Sequence, residues 1–369
     1  MTTRIIQWAT GAVGLPQLRA IIDSSEYELV GLFVYSEGKC GQDAGILARR
    51  APIGVAATND KAAILALDAD LVLHAASKGF AENSNTDDIV ALLESGKSVI
   101  TTTSYNHLAT YGADAKARIE AACAKSGARF HAAGEHPGFM FERLAVGLTA
   151  LSQRVDKITV QELVDCSRIK EHAMLVTLMG MGKAPEEISP NSPMFKAVSI
   201  QYEQSLAAAA ALLGLTIDEI QSDIRVGVVD HDLEVACGTL PAGSVVGQVL
   251  SWTAICDGKP RLVAEEYWTA ADDIPDWGFK LDGRFLVRVI VEGTPDMKLE
   301  LVIENGAQGS YEGSSGGHVA VAMTAVRAIP YVLKAPSGVV VPEIFGVYRW
   351  PDASDGHAPE ESSAVAGTA

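Results

Sequence analysis

The segment Trp8-Ala9-Thr10-Gly11-Ala12-Val13-Gly14-Leu15 joins an apolar run, Arg4 to Trp8, to a helical pattern, Leu15 to Ser24. Glycines at 11 and 14 in a strand-to-helix turn suit a dinucleotide. Gly11 lets the backbone approach a pyrophosphate, and Gly14 lets the helix pack closely on the strand. Unsatisfied amides at the helix start supply the anion site, so Thr10, Gly11, Ala12, Val13 and Gly14 are expected to hold the cofactor. Ala9 stands where such turns carry their first glycine, which is tolerated if its backbone conformation is ordinary. The next strand, Tyr27 to Tyr35, runs into Ser36-Glu37-Gly38-Lys39. A carboxylate there would bind the ribose 2′-OH of NAD, and a hydroxyl or cation the 2′-phosphate of NADP. Ser36 and Lys39 favour NADP, while Glu37 keeps NAD possible.

Ligands of open α/β sheets sit beyond the carboxyl ends of the strands. Two strand ends there are small or hydroxyl-rich, His74-Ala75-Ala76-Ser77 and Thr101-Thr102-Thr103-Ser104-Tyr105-Asn106. Ala75, Ala76, Thr102 and Thr103 are expected to wall the ribose and nicotinamide. Hydride transfer belongs to the cofactor, and the protein supplies orientation and a proton. Tyr105 is a candidate donor to a developing alkoxide, and Asn106 could orient the substrate. Glu135 and His136, before Pro137-Gly138, could act as acid and base; neighbours on a strand face opposite ways, so one of them is expected to meet the substrate. Cys166 and Ser167 have no identifiable base. Met174 to Met181 could line an apolar pocket. The histidines lack metal-ligand spacing, so no metal is expected.

These groups need a scaffold, and the first ~140 residues provide it by alternating strands with helices, the mark of a parallel doubly wound sheet. Clear strands are Asp70 to His74, Ser98 to Thr101 and Arg129 to Ala132, with helices at Lys61 to Leu67, Asp87 to Ser95 and Ala113 to Ser126. After Arg143 come a strand, Lys157 to Val164, and a helix, Tyr202 to Leu213. Successive β segments then follow: Ser244 to Ile255, Arg261 to Trp268, Phe285 to Glu292 and Lys298 to Ile303. The expected fold class is α/β: a Rossmann doubly wound parallel sheet with a second α+β domain built on an antiparallel sheet. The predicted divisions are 1–141 for the dinucleotide, 142–317 for substrate and dimerisation, and a disordered acidic tail, 351–369. An uncovered sheet face with Trp252, Trp268 and Trp277 in or beside it predicts a homodimer.

Of 369 residues, 48% are hydrophobic, which excludes a mainly disordered chain. A net charge of −17 opposes nucleic-acid binding. No uninterrupted apolar run approaches bilayer length, so no membrane span is expected. Five scattered cysteines without a CxxC pair, and no signal-peptide pattern, point to a cytoplasmic location.

The order of these segments also resembles a known group. The glycine turn, Leu71-Val72-Leu73-His74-Ala75-Ala76-Ser77, Val99-Ile100-Thr101-Thr102-Thr103-Ser104 and Ala133-Gly134-Glu135-His136-Pro137-Gly138-Phe139 look like a dihydrodipicolinate-reductase-like N-terminal domain. Val164-Asp165-Cys166-Ser167, Leu178-Met179-Gly180-Met181-Gly182, Gly243-Ser244-Val245-Val246-Gly247 and Thr324-Ala325-Val326-Arg327-Ala328-Ile329-Pro330 look like the C-terminal domain of 2,4-diaminopentanoate dehydrogenase and native amine dehydrogenases. The resemblance spans roughly residues 3 to 345. It implies NAD(P)H-dependent reduction at a carbonyl or imine carbon, with residues 318–350 returning to the first domain. Amine-forming members carry a glutamate just after the strand matched by Val99 to Thr103, where this chain has Tyr105-Asn106, and that role is not carried over. The expected substrate is a small carbonyl compound or amine, as in reductive amination. A ketone or imine reductase that uses no ammonia is the alternative, and a non-catalytic nucleotide-binding redox sensor is a second.

Overall fold

The structure, a computed structural model, describes residues 2–77, 84–272, 274, 277, 285–304 and 314–350. The tail expected to be disordered lies outside the described residues.

The chain opens with β1 (Thr3–Trp8), α1 (Gly14–Ile22), β2 (Tyr27–Phe33), α2 (Ala44–Leu47), β3 (Ala57–Thr58), α3 (Lys61–Ala66), β4 (Leu71–His74) and α4 (Ser84–Glu94). It continues through β5 (Ser98–Thr101), α5 (Leu108–Tyr111), α6 (Ala113–Ser126) and β6 (Arg129–Ala132). After an irregular helical segment that includes α7 (Val146–Leu148) come β7 (Arg154–Asp165), α8 (Pro193–Leu213), β8 (Glu219–Val228), a small ribbon of β9 (Leu233–Val235) and β10 (Gly238–Leu240), β11 (Val245–Cys256), β12 (Lys259–Thr269), β13 (Phe285–Thr294) and β14 (Met297–Ile303). The last elements are α9 (Gly316–Lys334) and β15 (Gly338–Val339).

The first sheet has the order β15-β6-β5-β4-β1-β2-β3, and every neighbouring pair is parallel. Its strands are nearly continuous in apolar residues because both faces are covered. Ile6, Val72, Val99 and Phe130 pack with Leu92 and Ile119 on one face. Ile5, Leu73 and Ile100 pack with Leu18 of α1 and Ala325 and Ile329 of α9 on the other. By length and composition alone α9 could cross a bilayer, yet this face of it is buried against α1 and the sheet.

The second sheet has the order β14-β13-β7-β12-β11-β8. It is mixed rather than antiparallel, because β7 pairs with β12 in parallel and with β13 antiparallel. The cause is chain order: β7 precedes the β block, returns by way of α8, and is inserted between two later strands. One face packs Ile158, Val160, Leu250, Trp252, Ala264 and Val289 against α8 and the segment before α7. Trp252 is fully buried and Trp268 nearly so, so neither tryptophan marks an interface. Trp277 does lie on the outer face, edge-on to Tyr267.

Helix α8 starts at Pro193, well before Tyr202, because Ser192 caps it: its hydroxyl accepts from Phe195 N at 3.2 Å. From this helix the fully buried Gln204 donates to Ser104 O (2.9 Å) and accepts from His107 N (3.1 Å). One carboxamide thus ties the second domain to the loop after β5.

The expectation of an ordinary backbone at Ala9 is corrected: its φ is +77°. A Cβ on Gly14 would lie 2.2 Å from Ala9 O, so the close crossing of strand and helix forces the turn. A left-handed alanine costs about 1–2 kcal/mol, partly offset by the smaller entropy it loses on folding relative to glycine. Ala9→Gly is therefore expected to stabilise the protein by up to about 1 kcal/mol, whereas Gly14→Ala should destabilise it by ~1–3 kcal/mol. Denaturant unfolding of the two variants checks both signs.

Candidate active site

The ends of β1, β4 and β5 line up at one edge of the first sheet. Ala75 N donates to Trp8 O, and Thr102 N to His74 O, each at 3.0 Å. The strand order reverses between β1 and β4, the position where open α/β sheets bind ligands. A Cβ at Gly11 would meet nothing within 4 Å, so the turn lies open there. No side chain caps α1, and its first turn holds no acidic residue. These features fit a pyrophosphate. Ser314 Oγ fastens the turn from α9's side by donating to Ala12 O at 2.7 Å. Lys39 Nζ donates to Thr10 Oγ1 at 2.9 Å, and Ser36 is exposed beside it. The turn and Lys39 therefore come together as expected. Ala75 and Thr102 face the same edge, while Thr103 is buried, with its hydroxyl 2.7 Å from Thr101 Oγ1. His74 is buried and bonded to Thr101 Oγ1 (3.0 Å). Burial, reinforced by Lys61, lowers its pKa to about 3, so it stays neutral.

Tyr105 is not at this edge, which corrects its expected role as proton donor. It is 2% exposed, with its hydroxyl 2.8 Å from Thr86 Oγ1 and its ring stacked on Tyr111. Burial raises its pKa far above the ordinary phenol value. Asn106 is likewise structural: its Nδ2 donates to Ala132 O at 3.2 Å.

Glu135 does reach a cleft. This space, about 550 Å³, lies between the ends of β7, β13 and β14 and the start of α9. Behind Glu135 is a buried polar cluster. His136 Nδ1 lies 2.9 Å from Glu162 Oε2, and the Tyr202 hydroxyl donates to the same oxygen at 3.3 Å. Glu266 Oε1 accepts from Trp268 Nε1 at 2.6 Å. In the β7–β12 register Glu162 is directly opposite Glu266. Both are under 10% exposed.

Sequence reasoning did not find Glu162, Glu266 or Tyr202. The signal was register: Ile158, Val160 and Glu162 share one face of β7, and Leu262, Ala264 and Glu266 share one face of β12. A carboxylate in each core-facing row is the anomaly.

Like charges in a dry site cannot all ionise. Burial first, then the charge of Glu162, pushes Glu135 up to about 8 and Glu266 up to about 7; His136 opposes both shifts, as do the Tyr202 and Trp268 hydrogen bonds at Glu266. At His136, burial disfavours the imidazolium, but Glu162, Glu142 and Glu135 outweigh it and raise the pKa. The cluster can therefore hold, release and accept protons near neutral pH, and it can attract a cation.

No family model matches the chain. Amine dehydrogenase from Streptomyces virginiae is 28% identical over 340 residues, covering 90% of this chain and 93% of that protein. The structure of amine dehydrogenase from Mycobacterium smegmatis superposes with a TM-score of 0.70 at 19% identity, covering 93% of this chain and 97% of the other. Myo-inositol 2-dehydrogenase from Lactobacillus plantarum gives a TM-score of 0.55 at 12% identity, covering 96% and 93%. The fold is a two-domain one of the Rossmann type, and over nearly its whole length the chain is similar to NAD(P)-dependent dehydrogenases. Within that class the chain is amine-dehydrogenase-like, in agreement with its sequence resemblance.

The raised carboxylates have a consequence for stability. Above the ordinary carboxylate value of 4.5 the unfolded chain has lost protons that the fold still holds on Glu135 and Glu266. Stability then falls as pH rises, through about 7 and 8. His136, also raised, acts in the same sense. Unfolding midpoints are expected to drop between pH 5 and pH 8 (~3 units, spanning those values). Glu266→Gln should flatten the slope, and a slope unchanged in that variant would contradict the assignment.

Proposed function

We propose that the chain catalyses NADPH-dependent reductive amination of a small, fairly apolar ketone or aldehyde, with Glu135 as the acid/base group. The observation that carries this reading is the buried Glu135–Glu162–Glu266 cluster with His136, set against the cleft. The motif glutamate after β5 is absent, and a carboxylate in the cleft can take over its work.

The bound dinucleotide would supply the hydride, with Thr10 to Gly14 and Lys39 holding its phosphates and Ala75, Ala76 and Thr102 lining its ribose and nicotinamide, while the expected role of Thr103 is dropped because its hydroxyl is turned inward to Thr101. Lys39 beside Thr10 favours the 2′-phosphate, and hence NADPH over NADH. As a carboxylate, Glu135 accepts a proton from ammonium, freeing ammonia to add to the carbonyl carbon. As a carboxylic acid, it returns that proton to the departing hydroxyl, and water leaves. With its pKa near 8 it populates both forms at neutral pH. Glu162, held by His136 and Tyr202, stands behind Glu135 in the same cluster. A second reading, reduction of a ketone without ammonia, is favoured by Tyr105-Asn106 standing where the motif has its glutamate.

Glu135→Gln is expected to lower ammonium-dependent turnover by ~10²–10⁴ while leaving NADPH binding intact. Gly11→Asp should abolish NADPH binding by placing volume and charge at the pyrophosphate, and Lys39→Ala should weaken NADPH more than NADH. Turnover without ammonium that is indifferent to Glu135→Gln would support the second reading.

We also propose that two copies pair through the outer face of the second sheet. A polar ladder crosses that face: Glu265 accepts from Gln161 (2.7 Å), and Arg288 bonds Gln161 (3.3 Å) and Glu300 (2.8 Å). Such a row suits a self-complementary contact with a two-fold axis. Sedimentation at micromolar concentration should give twice the 38.9 kDa chain mass, and a species of single-chain mass would exclude the pairing.

A further inference from the structure

A second cavity, of about 420 Å³, lies on the far side of the 134–138 turn from the cleft, between α5, α6, α8 and the segment after β15. Its walls are mostly hydrocarbon, including Leu108, Phe130, Leu212 and Val340. That size and lining are those of a small-molecule pocket, in which a few polar groups fix orientation. Here the innermost polar groups are acceptors. Glu142 is 5% exposed, and neither of its carboxylate oxygens has a hydrogen bond of normal geometry. Asn106 has its Nδ2 committed to Ala132 O, which leaves Oδ1 buried and without a partner.

Most of the other ionisable groups of the wall have hydrogen-bond or ion-pair partners, and Arg143 has a ring contact. Lys116 pairs with Glu120 at 2.9 Å, where both are part-exposed. Arg143 lies over the Phe139 ring. His107 and His131 bond Thr110 Oγ1 and Val340 O, each at 2.8 Å. What is missing is a donor, and ideally a positive one, for Glu142 and Asn106.

We infer that this cavity binds an organic primary amine as its ammonium ion, with the nitrogen between the Glu142 carboxylate and Asn106 Oδ1 and the hydrocarbon body against Phe130, Leu212 and Val340. Burial raises Glu142 above the ordinary carboxylate range, with the His136 charge, local backbone amides and Ser205 holding it back only in part. The ammonium nitrogen and the Glu142 carboxylate form an ion pair in this apolar setting. The Glu142 charge also acts on His136, so occupancy here is felt by the cluster behind the cleft. The inference does not depend on the reaction assigned to that cleft.

Calorimetric titration with benzylamine tests it, with benzyl alcohol as the uncharged comparison. The expected result is a binding event weakened at least tenfold by Glu142→Gln and also weakened by Ala208→Phe, which fills the cavity from α8, but retained in Glu135→Gln. An event lost in Glu135→Gln and kept in both cavity variants is binding in the cleft alone and overturns the inference. Benzyl alcohol binding as tightly as benzylamine overturns the ammonium assignment. On the unaltered protein, crystals soaked in 4-bromobenzylamine should show an anomalous bromine peak between α6 and α8, and its absence from that cavity overturns the site.

Discussion

The parallel pairing of β7 with β12 is the constraint on which the candidate site rests. It puts Glu162 and Glu266 side by side on the core-facing side of one sheet, a position where apolar residues would be more stable. Everything around them reads as a response to that juxtaposition. His136 and Tyr202 supply hydrogen bonds to one carboxylate and Trp268 to the other, and the remaining repulsion is relieved by protonation. A single-residue slip of β7 would turn Glu162 to the outer face and dissolve the cluster. The carboxylate pair thus depends on strand pairing in a different domain from the one that holds the glycine turn.

Much of the first domain was legible because its signals are local. Apolar runs, a glycine turn and alternation with helices are each read within a few residues, and the seven-stranded sheet follows them closely. Lys39 and Glu135 lie a few residues past the ends of β2 and β6, so their places near one edge could be read from the strands that precede them. The second domain was less so. Whether β7 joins the later strands, and in which direction, depends on contacts about a hundred residues apart, such as Glu162 with Glu266. Tyr105 illustrates the opposite failure. Its place just past a strand suggested chemistry, but the backbone turns at Ser104, with φ +65°, and the ring goes into the core beside Tyr111. The left-handed backbone of Ala9 goes with the close approach of the Gly14 backbone to its carbonyl, which residue types alone do not show.

The second sheet shows how one strand can carry two unrelated tasks. On β7, Ile158, Val160 and Glu162 serve the core and the cluster, while Gln161 on the opposite face joins the polar ladder to Glu265 and Arg288. Period-two geometry keeps these functions apart even though the residues are adjacent. The outer face can therefore vary without disturbing the buried carboxylates.

Gln204 joins α8 to the loop after β5 by one donor and one acceptor, in a fully buried setting. A carboxamide that satisfies both partners cannot rotate without breaking both bonds. The second domain and the loop after β5 are therefore joined at this point through a single side chain. Loss of that carboxamide would take a partner from Ser104 O and from His107 N at once, so the fit of the two parts here is decided by one residue.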